Sequence, residues 1–352
     1  MSKPHVVGIF YRNFQLYGGG HPYDESTYGG YSFSHVGLGV NAFNTAKVLR
    51  EAGIAAYPVP VFTVAHVIAA LRKRAYTHAV LEALWIPTEE IHALLQEFPD
   101  VKFFVRAHSQ IGFLQVEPKA IKLLRDLLDL QSAELNLDVS ANSSRLKDFL
   151  QGVYNEECLL LPNLYVVPRP ANRPHAIGGN RLIRISSFGS MRHLKLHSVA
   201  AAGAMLLAER HGKDLEFHVS VHRDEHGHGA LQAIRNMFEG LPWAKLVEDA
   251  WSTWAQFKRT VAHMDLGLQV SATETFNLTT ADAVAEGVPC VVSTAVDWAP
   301  EAWKVDIDDA EQIARTGWNL LTDSHAPQDG MTALLKHQND SLVQWQRVLA
   351  LP

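Results

Sequence analysis

Apolar runs rich in β-branched and aromatic residues alternate along the first half of the chain with segments of helical period. In order they are "HVVGIFY", "NAFNTAKVLREAG", "AAYPVPVF", "THAVLEALWI", "TEEIHALLQEFP", "VKFFVRAHS", "PKAIKLLRDLLDL" and "AELNLDVS". Strands interleaved with helices predict βαβ units around a parallel sheet. Residues 166–180, "VVPRPANRPHAIGGN", carry three prolines and two glycines and no apolar period, which marks an interdomain linker. The pattern then restarts with "RLIRISSFG", "HSVAAAGAMLLAERHG", "LEFHVSVH", "GALQAIRNMFEG", "AKLVED", "TWAQFKRTVAHM", "DLGLQVS" and "PCVVS". A second α/β domain of similar size follows from it. The expected division is a first domain over 1–168, a linker over 169–177, a second domain over 178–330, and a helical tail over 331–352 able to pack on either domain.

Composition changes little in this picture. At 352 residues and 47% hydrophobic content the chain is ordinary globular material, long enough for two cores. No window approaches eighteen consecutive apolar residues, and "MSKPHVVGIFYRNF" lacks the features of a signal peptide, so the expected location is cytoplasmic with no membrane span. Cys158 and Cys290 lie far apart in the sequence and make no metal or redox spacing. The formal charge is -6, and residues 1–170 hold 15 Lys+Arg against 16 Asp+Glu. Apart from a local Arg72-Lys73-Arg74 patch, charge gives no signal for a nucleic-acid partner.

The informative chemistry lies in "SATETFNLTTADAVAEGVPCVVS", residues 271–293. The strand "DLGLQVS" turns through Glu274 into a helix expected to begin near Thr275 to Leu278 and to end at Gly287, with Asp282 inside it. Ligands of open α/β sheets sit outside the carboxyl ends of strands, where helix N-termini face anions, so both acids fall at the ligand edge. An ionised carboxylate offers acceptors only and suits hydroxyl-rich partners such as ribose and pyranose rings. Residue by residue, the competing reading is that Glu274 caps the helix and Asp282 is a solvated residue of its polar face.

The stretch "ETFNLTTADAVAEGVPCVVS" resembles the E-x7-E segment of retaining GT-B glycosyltransferases of the family-4 type. The resemblance implies two Rossmann-like domains facing each other across a cleft, an α/β architecture. It also implies transfer of a sugar from a nucleoside-diphosphate sugar to a hydroxyl acceptor, with retention, by front-face attack and without bound metal or other cofactor. Glu274 would then touch donor-sugar hydroxyls, Asp282 the nucleotide ribose, and the backbone of Thr275, Phe276, Asn277 and Leu278 the sugar and phosphate. Asp stands at 282 where the family generally has Glu, so that side chain is one methylene shorter.

"SSFGSMRHLKLHSVAAAG" resembles the family's glycine-bearing loop, which implies a turn at Gly189 and Ser190 and places Arg192 and Lys195 on the diphosphate. His108, after "VKFFVRA", would bind and orient the donor sugar. "LLLPNLY", with Pro162 and Asn163, and "DVSANSSRLKDFL" resemble architectural markers of the first domain. The loop over residues 16–39, rich in Gly, Tyr and His, reads either as an acceptor-side loop, with Gly37 and Gly39 beside the helix start, or as a flexible insertion. The cluster His218, His222, Asp224, Glu225, His226 and His228 fits no established zinc spacing, and metal binding there is set aside. Three rivals remain open at this level. They are the same chemistry on a modified base in DNA, a GT-B nucleotide-sugar epimerase, and a non-catalytic sugar-nucleotide-binding protein.

Overall fold

The computed structural model describes residues 5–13, 37–134, 136–168, 180–221 and 228–350. The chain divides into two compact units, Met1–Val166 with Gln338–Pro352, and Val167–His337. Most of the residue 16–39 loop, the linker expected over 169–177, and residues 222–227 of the histidine-rich stretch lie outside the described residues.

Unit 1 has strands β1 (Val6–Arg12), β2 (Ala55–Val61), β3 (His78–Glu82), β4 (Lys102–Ala107), β5 (Leu137–Ala141) and β6 (Leu159–Leu160). Its helices are α1 (Gly37–Glu51), α2 (Val64–Lys73), α3 (Thr88–Glu97), α4 (Ile111–Leu114), α5 (Pro118–Ala133) and α6 (Ser144–Tyr154). The strands pair in parallel in the order β2-β1-β3-β4-β5-β6. Helices on both faces bury the sheet, which explains why strands such as "HAVLE" read as unbroken apolar runs; all five residues of β3 are buried. The run "THAVLEALWI" stops being strand after Glu82 because Ala83 turns to a φ of 69° and gives its N–H to the Arg106 carbonyl.

Unit 2 repeats the plan with β7 (Leu182–Ser187), α7 (His197–Arg210), β8 (Asp214–Val221), α8 (His228–Phe238), β9 (Ala244–Ala250), α9 (Trp254–Val261) and β10 (Leu266–Gln269). It continues with α10 (Leu278–Ala285), β11 (Cys290–Ser293), β12 (Lys304–Val305), α11 (Ala310–Thr322) and the start of α12 (Ala326–Leu349). The sheet is parallel, in the order β12-β11-β10-β7-β8-β9. Counted from β7, this is the doubly wound order 3-2-1-4-5-6, whose direction reverses between β7 and β10. Helices α7 and α11 approach closely because Gly203 has no side chain. A Cβ there would lie 2.4 Å from Ile313 Cγ2.

Helix α12 starts before the tail expected at 331; its residues up to His337 belong to unit 2 and those from Gln338 to unit 1. Pro327 lies in its first turn, where a missing N–H is tolerated. At Gly330 a Cβ would strike the Trp303 ring at 2.3 Å, so glycine permits the contact with that buried indole. At its other end, within unit 1, Trp345 Nε1 donates to the Pro162 carbonyl at 2.8 Å.

Candidate active site

The strand order of unit 2 reverses between β7 and β10, and most of the sequence-predicted donor residues follow the carboxyl ends of these two strands. After β7 the chain passes through Gly189, at a φ of +125° that disfavours any side chain, into a 3-10 turn over His193–Lys195. That conformation brings the Lys195 side chain back across Gly189, with Nζ 3.9 Å from where a Cβ would stand. Lys195 Nζ reaches Glu274 Oε1, on the loop after β10, at 2.5 Å, with both side chains nearly buried. The loops are also joined through backbone, Ala272 N donating to the Leu194 carbonyl at 2.8 Å.

Behind this pair a row of amide side chains fixes the two strand ends and the following helix. Gln269 Nε2 donates to the Phe188 carbonyl at 3.0 Å, and Asn277 Nδ2 donates to Gln269 Oε1 at 3.1 Å. Asn277 is itself left-handed, at a φ of 61°, and its Oδ1 caps α10 by accepting from Thr280 N at 2.9 Å. Asn suits that combination, since it tolerates the left-handed region and is among the preferred N-caps. Phe276 is buried, stacks on His337 at 4.9 Å, and accepts from Trp298 Nε1 through its carbonyl at 2.6 Å. Thr275 and Leu278, flanking these two, are half-buried.

Arg192 folds onto its own turn, donating from Nε and Nη2 to Ser190 Oγ at 3.2 and 3.1 Å. Below it, buried His197 places Nδ1 2.8 Å from Ser187 Oγ and Nε2 3.5 Å from the Ser190 carbonyl. Burial, and then the positive charges of Lys195 and Arg192, push its pKa down to about 4, against the hydrogen bonds from the Ser190 and Ser187 region. His197 is therefore neutral at pH 7. Asp282 is 3% exposed inside α10 and accepts from Trp254 Nε1 at 2.8 Å. The solvated polar-face reading of Asp282 is thus corrected: α10 is buried on the side that carries it.

Unit 1 holds a separate polar cluster at the carboxyl ends of β3, β4 and β5. Arg106 is fully buried and donates to Glu82 Oε1 and Oε2 at 2.9 and 3.2 Å, to the Leu161 carbonyl at 2.7 Å, and to Asn163 Oδ1 at 2.7 Å. His108 joins it, with Nε2 hydrogen-bonded to Glu82 Oε2 and Nδ1 3.3 Å from Asn142 Nδ2. Burial pushes the Glu82 carboxyl up, but Arg106 and His108 together hold it below the usual range. Burial pushes His108 down, with Glu82 opposing and Arg106 assisting, so the imidazole is neutral. A neutral ring bonded this way donates from Nε2 and accepts at Nδ1. Both nitrogens are engaged inside unit 1, so a ring-nitrogen contact to a sugar, the role expected for His108, requires exchange of one of these bonds.

Gly37 and Gly39 lie in the first turn of α1, at the helix start, and a Cβ at Gly39 would come within 3.1 Å of the Tyr11 ring. Asn163 is a ligand of Arg106, which gives the "PN" marker a physical role. His218 pairs with Asp249 at 2.8 Å, and among the described residues no group of three or more His, Cys, Asp or Glu is arranged to hold a metal ion. The sequence reading missed Gln269, His197, Trp254, Glu82 and Arg106. Gln269 carried a signal, a polar residue ending an apolar strand.

No protein-family model matches the sequence, and no curated protein matches it. The fold has matches among solved structures. The chain is similar to TarM of S. aureus, a mutant solved with UDP, at a TM-score of 0.60 and 11% identity, over 82% of this chain and 59% of TarM. It therefore spans less than two thirds of that protein. Similarity runs nearly end to end with an alpha,alpha-trehalose-phosphate synthase (UDP-forming) from Burkholderia vietnamiensis, at a TM-score of 0.63 and 11% identity over 99% of this chain and 96% of that one. For a sucrose-phosphate synthase from Thermosynechococcus elongatus the values are 0.65 and 12%, over 97% of both chains. The fold is the GT-B fold of glycosyltransferases.

Proposed function

We propose that the protein is a retaining glycosyltransferase that moves a sugar from a nucleoside-diphosphate sugar to a hydroxyl acceptor. The observation that carries this reading is the Lys195–Glu274 pair, held at 2.5 Å beside Gly189 where the strand order of unit 2 reverses. A cation and a carboxylate fixed side by side after two strand ends and ahead of a helix N-terminus suit a ligand with an anionic half and a hydroxylated half. Lys195 and Arg192 stabilise charge on the departing diphosphate, which is the term a transferase of this kind most needs. The N-terminus of α10, oriented by Asn277, adds its partial positive charge. Glu274 accepts hydroxyls of the donor sugar, and Asp282 faces the ribose. The named activities of the matched structures, which include a UDP complex and a UDP-forming synthase, support a nucleotide-sugar donor. The donor is a substrate and not a resident cofactor, and Lys195 and Arg192 supply the charge that a metal ion supplies elsewhere.

Thermal melting of the full chain with UDP, GDP, ADP, dTDP and CDP, with and without magnesium, tests the donor site. A ligand at one hundred times its dissociation constant stabilises by about 2.7 kcal/mol. One diphosphate is expected to shift the melt independently of magnesium, and the corresponding nucleotide sugars are then assayed for diphosphate release and for the anomeric configuration of the product. The reading fails if none of the five shifts the melt and no nucleotide sugar is turned over.

A further inference from the structure

Within unit 2, the carboxyl ends of β10, β11 and β12 and the start of α11 line a cavity of about 670 Å³. This is the sheet edge at which α/β folds take ligands, and the volume falls in the range of about 300–1,000 Å³ usual for small-molecule sites. Lys195 and Glu274 are not among its walls. The two places meet only through the loop after β10, where Ala272 lines the cavity and gives its N–H to the Leu194 carbonyl.

The charges on the walls are of both signs and largely offset. Lys304 Nζ pairs with Glu301 at 2.8 Å. Asp309 Oδ1 caps α11 by accepting from Gln312 N at 2.8 Å, and Asp306 Oδ1 accepts from Asp308 N at 3.2 Å. Asp306 N donates to Gln312 Oε1 at 2.7 Å, which fastens the loop after β12 to the first turn of α11. These bonds leave the two N–H groups of the Gln312 amide and, three residues on along the same helix face, the exposed Arg315 guanidinium without a partner among the described residues. Ser271, 1% exposed, also lines the cavity, and its Oγ has no hydrogen-bond partner. Buried polar groups are as a rule hydrogen-bonded, so this hydroxyl is an exception that a polar ligand would account for.

An anion placed here would meet Asp306 and Asp309, and a cation would meet Arg315 and Lys304. A hydroxyl group both donates and accepts, so a ligand made of hydroxyls can use the amide and guanidinium donors and the carboxylate acceptors together. From this geometry we infer that the cavity is a binding site for a neutral saccharide, next to the proposed donor site but built from other residues. The inference goes beyond the donor reading and can be tested without a nucleotide sugar.

The test is saturation-transfer NMR of the full chain with glucose, galactose, mannose, N-acetylglucosamine, maltose, cellobiose and lactose, followed by titration of those that bind. At least one is expected to bind. Arg315→Met removes the guanidinium at an exposed position without an ion pair, so the fold is retained, and it should weaken that saccharide by about tenfold, the scale of one hydrogen bond to a charged group. Asp306→Asn keeps a side-chain oxygen for Asp308 N and should weaken the same saccharide by about threefold or more. No binding by any of the seven sugars, or undiminished affinity in both variants, overturns the inference. So does an equal loss, in Arg315→Met, of affinity for whichever of UDP, GDP, ADP, dTDP or CDP binds wild type, since the cavity would then belong to the donor site. Failure of all five diphosphates to bind wild type bears on the donor reading alone and leaves saccharide binding to be read by itself. With a nucleotide sugar present, glycosylation of the bound saccharide identifies it as the acceptor, and a change in turnover without its consumption identifies it as an effector; either result supports the site.

Discussion

Acidification provides a sharp test of the geometry around the Gly189 turn, through His197. This imidazole is 1% exposed, and burial together with Lys195 and Arg192 lowers its pKa from 6.5 to about 4. In the unfolded chain it titrates near 6.5. Between those values the folded state binds fewer protons than the unfolded state, so stability falls as the pH drops through the window and is insensitive to this group above it. Each pH unit inside the window costs about 1.4 kcal/mol, so at pH 5 the loss from His197 is about 2 kcal/mol. Urea unfolding at pH 7 and pH 5, for wild type and for His197→Gln, isolates the term, because the other groups that titrate are common to both. The variant should start less stable at pH 7, having lost the hydrogen bonds to Ser187 and Ser190, yet lose about 2 kcal/mol less on acidification. A difference below about 0.5 kcal/mol would mean that His197 accepts a proton with little penalty, and the placement of two cations over a buried ring would be refuted.

Four further outcomes are expected. Glu274→Ala should abolish sugar transfer in a protein that still folds but melts lower, because Lys195 loses the carboxylate beside it, and wild-type turnover would remove Glu274 from the site. Lys195→Ala should weaken nucleoside-diphosphate binding by about tenfold or more, a loss read directly by titration; equal affinity would leave Lys195 only a structural partner of Glu274. Glu82→Gln leaves the buried Arg106 without its counter-charge and should destabilise the protein by about 3–5 kcal/mol in denaturant unfolding, far more than a surface pair would. Gly203→Ala puts a methyl group 2.4 Å from Ile313 and should cost about 1–3 kcal/mol, read as a lowered melting temperature; an unchanged melt would show that α7 and α11 yield without penalty.

Much of the architecture was legible because parallel sheets write themselves as local patterns. "VVGIFYR" is β1, the quoted helix ends just before Gly287 at a φ of 76°, and His108 directly follows β4. Glu274, Lys195 and Gly189 were also within reach, since each lies on a short connection between predicted elements. What stayed hidden depends on pairs distant in sequence. Glu82 looked like an unremarkable acid in an apolar run until Arg106, 24 residues on, was seen beside it on the neighbouring strand. For Asp282 a polar-face reading stayed open beside the ribose one because its partner, Trp254, belongs to a different helix. The helical spacing around Asp282 could not say which side of α10 is covered.

Helix α12 imposes an order on how the protein is made. Unit 1 has its whole sheet within the first 160 residues, but the indole that lies 5.2 Å over the Arg106 guanidinium and ties down the Pro162 carbonyl is Trp345. A ribosome finishes unit 2 before it supplies that residue. The first unit to be synthesised is thus the last to receive all of its buried side chains.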